Sequence, residues 1–298
     1  MTRSRCAILA AAAASLVCRP ASAYVRYKTD SGNGFFWALT SISITAYPND
    51  FTQSTMSTDQ VEAAAAAAAT TWSSGQNPCT YLNLVLGVST LPTPIPASDN
   101  HNTLVFRSTS WCPEAADGTC SVDYDPAALA LTSDTADKKT GQIYDSDIEI
   151  NARDFPWADV ISDPALSGDM DLQNALTHEM GHMIGLDHTC YDAASGSPQP
   201  TDNAGQPVPA CPASAEVQAT TMYPSAMPGD TQKRTLAPDD QAGLCGIYPV
   251  DDPPTDMNGG CASCAVAPPP VGSVELAGLG LLVALLARAR RPRRVSRR

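Results

Sequence analysis

Residues 41–47 read SISITAY, in which Ile42, Ile44 and Ala46 alternate with polar neighbours, and this period of two predicts a strand with one buried face. Residues 61–72, VEAAAAAAATTW, consist mainly of the strongest helix former, with Ser57 or Thr58 and Asp59 placed to cap the helix start. Further strands are predicted at 81–87, 103–108, 128–132 and 142–151. A second helix starts near Asp169 or Asp171 and runs through LQNALTHEMGHMI. A last one covers about 238–245, where the pair Asp239 and Asp240 suits a helix N-terminus. No repeat of solenoid or propeller period interrupts this order, so the expectation is one α+β domain over residues 24–250.

The two ends differ from this middle. Residues 1–23, MTRSRCAILAAAAASLVCRPASA, have a basic start, an apolar run and a small-x-small finish, the layout of a cleavable secretory signal, which puts the mature start at Tyr24. Residues 251–273 form a Pro/Gly/Cys linker. Residues 274–298 hold a 14-residue apolar run containing Glu275, then RARRPRRVSRR. A run that short falls below the roughly 20 apolar residues of a simple membrane span. The Gly-Cys motif, short apolar segment and Arg cluster resemble the C-terminal sorting tail of myxobacterial surface proteins. That resemblance implies cleavage near Cys261 or Cys264, membrane association through the tail and anchoring at the cell surface or outer membrane; an ordinary C-terminal anchor is the other reading.

Composition narrows the partners. The 298 residues are 43% hydrophobic and 16% charged, enough apolar material for a buried core. Between Tyr24 and Cys264 there are 8 basic residues against 30 acidic ones, a surface that repels phosphate backbones and excludes nucleic acid as a primary partner. Six cysteines remain in the exported domain. Short separations favour Cys112 with Cys120 and Cys190 with Cys211, which leaves Cys79 with Cys245, among the 15 pairings that six thiols allow.

The chemistry concentrates in ALTHEMGHMIGLDHT. His178 and His182, four apart, share one face of a helix and can aim both imidazoles at one metal ion, with Glu179 beside that face. His188 lies well over a turn beyond His182, so a third ligand needs the helix to end, and Gly185 allows the left-handed turn that swings it back. Three neutral imidazoles leave a tetrahedral Zn²⁺ one open position for water, with Glu179 placed as general base. Given this chain's residue frequencies, the five fixed positions coincide by chance on the order of once in a million such chains, far more specific than HExxH alone.

This pattern, HExxHxxGxxH from His178 to His188, resembles the metzincin zinc peptidases. The resemblance implies a mixed twisted sheet with an active-site helix, a backing helix and a C-terminal helix, together with a methionine turn under the metal, for which Met222 in ATTMYPS is the candidate. Thr189 after the third histidine, the MYP sequence and LAPDDQAGLCGIYP (236–249) are most similar to the matrixins. The implied activity is a zinc endopeptidase, expected to be monomeric and to act on protein or peptide. Residues 128–132 are the candidate edge strand, where Leu129, Ala130 and Leu131 would hold an extended peptide by its backbone, and Tyr223 and Pro224 would wall the pocket beyond the scissile bond.

The chain departs from the matrixin pattern in three places. It has no PRCGxPD switch, no histidines for a second zinc within 129–151, and an apparent insertion after His188 closed by Cys190 and Cys211. Asp145, Asp147 and Glu149 alternate along one strand face, which reads either as a Ca²⁺ site or as a solvated acidic face. His101 reads as a loop histidine. Two other functions stay open: a non-catalytic surface adhesion or binding protein on the same scaffold, and a processing peptidase with few substrates.

Overall fold

The computed structural model describes residues 24–51, 55–113, 119–120 and 122–254, and the backbone of a strand at 283–287. The predicted signal segment, most of the linker and the rest of the tail lie outside the described residues.

In chain order the elements are β1 (Ser41–Tyr47), α1 (Thr58–Trp72), β2 (Asn83–Val88), β3 (Thr103–Arg107), β4 (Ala128–Ala136), β5 (Ile143–Asn151), β6 (Trp157–Ala158), β7 (Met170–Asp171), α2 (Leu172–Met183), α3 (Ala215–Gln218), β8 (Ser225–Ala226), α4 (Pro238–Ile247) and β9 (Val283–Ala287). The chain is α+β. Its body is a mixed five-stranded sheet in the order β2-β1-β3-β5-β4, parallel except for the antiparallel pair β4 and β5. At the β4 edge the backbone of 283–287 adds antiparallel to β4 and parallel to β8.

The pattern of side chains explains how the sheet is covered. Along β1, Ile42, Ile44 and Ala46 face inward, as their alternation requires, whereas β3 is buried at every position. Helix α1 starts with a capping box, in which Ser57 and Gln60 satisfy each other's backbone N–H. Its buried face, Val61, Ala64, Ala65, Ala68, Ala69 and Trp72, follows helical spacing and is mostly methyl groups, so α1 can come close to α2. Trp72 locks the pair by donating its indole N–H to Thr177 O at 2.7 Å.

Helix α2 is buried on nearly every face, which is why it shows no polar stripe. Asp171 caps its start by accepting from Asn174 N at 2.9 Å. At its end the orphan carbonyls of Met183 and Ile184 accept from Trp37 Nε1 at 2.7 Å and Tyr248 Oη at 2.8 Å. Gly185 then takes φ +93°, and a Cβ there would lie 2.6 Å from Phe35 O, so glycine is required for both the turn and the close approach.

Disulfides join Cys79–Cys245, Cys112–Cys120 and Cys190–Cys211, the pairing that the short separations favour. Among the described residues no helix is long and apolar enough to cross a membrane.

Candidate metal centre

His178 and His182 sit one turn apart on α2, and the Gly185 turn returns His188 to face them. The three Nε2 atoms are 3.1, 3.2 and 3.2 Å from one another. Nitrogens bound at 2.0–2.1 Å around a tetrahedral ion lie about 3.3 Å apart, so the triangle has the dimensions of one face of such a site.

The opposite ring nitrogens fix the orientation. His178 Nδ1 pairs with Thr221 O at 2.6 Å and His182 Nδ1 with Leu186 O at 2.9 Å, which makes each Nδ1 the donor and leaves each Nε2 lone pair facing the centre. The Tyr27 hydroxyl also reaches within 3.1 Å of His182 Nδ1. Burial holds all three imidazoles below their ordinary range, His182 at about 4 and the other two well down, so they are neutral donors at pH 7. This is the only group of three or more His, Cys, Asp or Glu side chains among the described residues with the spacing to hold a metal ion such as zinc.

Glu179 lies beside this face, wholly buried. Thr132 of β4 donates its hydroxyl to Glu179 Oε2 at 2.7 Å, whereas Oε1 is buried with no hydrogen-bond partner among the described residues. Burial pushes the carboxyl up to about 8, against the opposing effects of the Thr132 hydroxyl and the Lys233 ammonium. A divalent cation at the imidazole triangle would favour the ionised form. The donor set therefore fits zinc on three counts: three convergent nitrogen lone pairs, Nδ1 partners that fix the rings, and an orphan carboxylate oxygen next to them.

Met222 packs beneath α2. A Cβ at Gly181 would overlap its Sδ and lie 2.9 Å from Trp72 Cζ2, so the absent side chain at Gly181 is what gives the methionine its seat against α2. Asp240 of α4 holds the turn, accepting from Thr221 N at 2.7 Å and Met222 N at 3.1 Å. Thr189 N donates to Met222 O at 3.2 Å, tying the residue after His188 to the same turn. Lys233, fully buried, donates its ammonium to Tyr223 O and comes within 3.4 Å of His178 Nδ1; burial lowers it to about 7. Arg234 beside it bonds Asp171 and Asp159, joining this loop to the start of α2.

Leu129, Ala130 and Leu131 are buried on β4, the strand that touches α2 through Thr132, and Tyr223 and Pro224 directly follow Met222. Along the acidic strand, Glu149 pairs with Arg107 at 2.6 Å and Tyr124 at 3.0 Å, and Asp147 accepts from Thr103 and from Ala97 N. Asp145, Asp147 and Glu149 are all buried on this strand. His101 is 82% exposed in its side chain, a loop residue as expected. A pocket of about 270 Å³ opens among Val25, Thr189, Val208, Val217 and Asp239, and none of the three histidines lines it.

Sequence reasoning missed Tyr27, Gly181 and Lys233, and read Thr132 only as the end of the candidate peptide-binding strand 128–132. It read Asp240 only as a helix-opening charge. None of these carries a motif, because each acts through a contact distant in sequence. Compared with protein families and with curated proteins, the chain matches none.

Proposed function

We propose that this chain is an exported zinc endopeptidase of the metzincin type, most similar to the matrixins. The observation that carries the reading is the triangle of unprotonated Nε2 atoms, 3.1–3.2 Å on a side, next to a buried carboxylate whose Oε1 has no partner among the described residues. A closed structural site would have no use for that carboxylate. When bound, zinc would polarise a substrate carbonyl and lower the pKa of water toward 7.

The chain's own residues supply the rest. Glu179 Oε1 takes a proton from the attacking water as its oxygen bonds to the carbonyl carbon, and returns a proton to the leaving amine nitrogen as the C–N bond breaks. The β4 edge, which the strand at 283–287 pairs with in the antiparallel sense, would offer the same backbone donors and acceptors to an extended peptide taking that strand's place. Met222 supports the histidines from below, and Tyr223 and Pro224 flank the substrate side chain after the scissile bond. Export of residues 24–250 agrees with three disulfides, which persist in oxidising compartments. Surface tethering through the tail and a monomeric state belong to the same proposal.

The test compares the protein with its Glu179→Gln variant. Both should bind one zinc by elemental analysis, and the variant's cleavage of unfolded protein substrates should fall by a factor of at least about 100. 1,10-Phenanthroline should abolish the wild-type activity and Zn²⁺ restore it. Equal inactivity of two zinc-loaded proteins would favour the binding-protein reading, and activity in metal-free protein would exclude the mechanism.

A further inference from the structure

A hydroxyl on a buried strand needs a reason. Thr132 closes the apolar run 128–131 on β4, is itself buried, and is held in register by pairing with Ile148 on β5. Valine would fill the same space without a polar atom, and a buried hydroxyl left unbonded is unfavourable. Among the described residues the partners of this hydroxyl are both on Glu179: Oε2 at 2.7 Å and the main-chain O at 3.2 Å. The hydroxyl has one proton, and the shorter contact is to the carboxylate.

We propose that Thr132 is the positioning residue for Glu179, its hydroxyl holding Oε2 so that Oε1 is the oxygen presented to the reacting water. The inference rests on the peptidase reading above. A carboxylate has two equivalent oxygens and rotates about its last bond, so an unanchored Glu179 would present either oxygen over a range of angles. One charge-assisted hydrogen bond removes that freedom. The asymmetry of the carboxylate is what it would produce, with one oxygen bonded and the other buried and without a partner among the described residues. The anchor comes from the strand proposed to bind the peptide, so one rigid element sets both the substrate's height and the base's orientation.

The experiment uses the zinc-loaded protein and its Thr132→Val and Thr132→Ser variants. For Thr132→Val, kcat should fall about 10- to 100-fold, the range of one hydrogen bond to a charged group, with KM within about twofold and one zinc retained. Thr132→Ser, which keeps the hydroxyl, should recover kcat to within about threefold of wild type. Crystal structures supply a readout independent of turnover: the Glu179 carboxylate should hold one orientation in wild type and the serine variant and rotate or split in the valine variant.

Unchanged kcat with a fixed carboxylate in Thr132→Val would overturn the inference, as would a serine variant as slow as the valine one. A kcat loss matched by lost zinc or a lowered melting temperature would reduce Thr132 to a structural contact. Should the valine variant fail to fold, Thr132→Ala takes its place with the same expectations. A wild-type protein that binds zinc but cleaves nothing would sink the peptidase reading, and the carboxylate orientations would still decide what Thr132 does.

Discussion

The histidines do not act alone: each is held by a contact that fixes which nitrogen carries its proton or where its backbone goes. Thr221 O and Leu186 O set the tautomers of His178 and His182, and Thr189 ties the residue after His188 to the Met222 turn. Gly181 is the least obvious member of this set. Its missing Cβ gives Met222 Sδ and Trp72 their places, and neither neighbour can retreat in a packed interior. Gly181→Ala should therefore destabilise the protein by about 1–3 kcal/mol in urea unfolding despite alanine's better helix propensity, and zinc affinity should fall with it. A variant as stable as wild type would show that the methionine seat is looser than its geometry. The three clustered histidines, Glu179 and the need for Gly185 were legible because spacing on a helix is local geometry. Gly181 lies inside the same motif at a position the motif leaves free, and only the side chain brought underneath it gives it a role.

Among the elements, those with a long regular period were readable and the short ones were not. The alanine run of α1, the alternation of β1 and the apolar stretch of β3 appear where the pattern puts them. Strand β4 runs on to Ala136, past the expected end at 132, because its polar half pairs with β5 rather than ending in a loop. The two-residue strands β6, β7 and β8 have no period to detect. The polar half of β4 and β5 places carboxylates together: burial raises Asp134 and Asp147 to about 7 and Asp145 to about 6, and neighbouring carboxylates push each further up. Their folded values lie above the ordinary carboxylate value near 3.9, so between about pH 4 and 7 the folded state holds more protons than the unfolded one. Stability from these groups is thus full below pH 4 and is lost as pH rises through 6 to 7. The melting temperature should be higher at pH 5 than at pH 8, and Asp134→Asn, which can still accept from Ser146, should flatten that slope. A melt independent of pH over this range would contradict the burial of these carboxylates.

Across the whole molecule, the ends of the domain are drawn back to the middle. The N-terminal stretch bridges Arg26 to Leu186, donates Tyr27 N to Gly185 O at 3.1 Å and sends the Tyr27 hydroxyl to His182. Near the other end Tyr248 caps α2, and Cys245 on α4 is bonded to Cys79, 166 residues earlier. Cys112–Cys120 closes only 8 residues. By loop entropy, removing both cysteines of the long bridge should cost about 2–3 kcal/mol more in urea unfolding than removing both of the short one. Equal losses would mean that the unfolded chain is already compact enough to hide the difference.

The sequence by itself determined the α+β class, the main helices and strands, the three imidazoles with their neighbouring carboxylate, and a cysteine pairing that followed from short separations. Each depends on residues a few positions apart, where backbone geometry alone decides which side chains meet. Tertiary structure alone decided that Thr132 holds Glu179 from 47 residues away, that Asp240 pins the Met222 turn, that Tyr27 reaches His182, and that Glu149 pairs with Arg107. A contact between distant positions leaves no period or spacing in the chain, because it is selected by the packing of whole elements against one another.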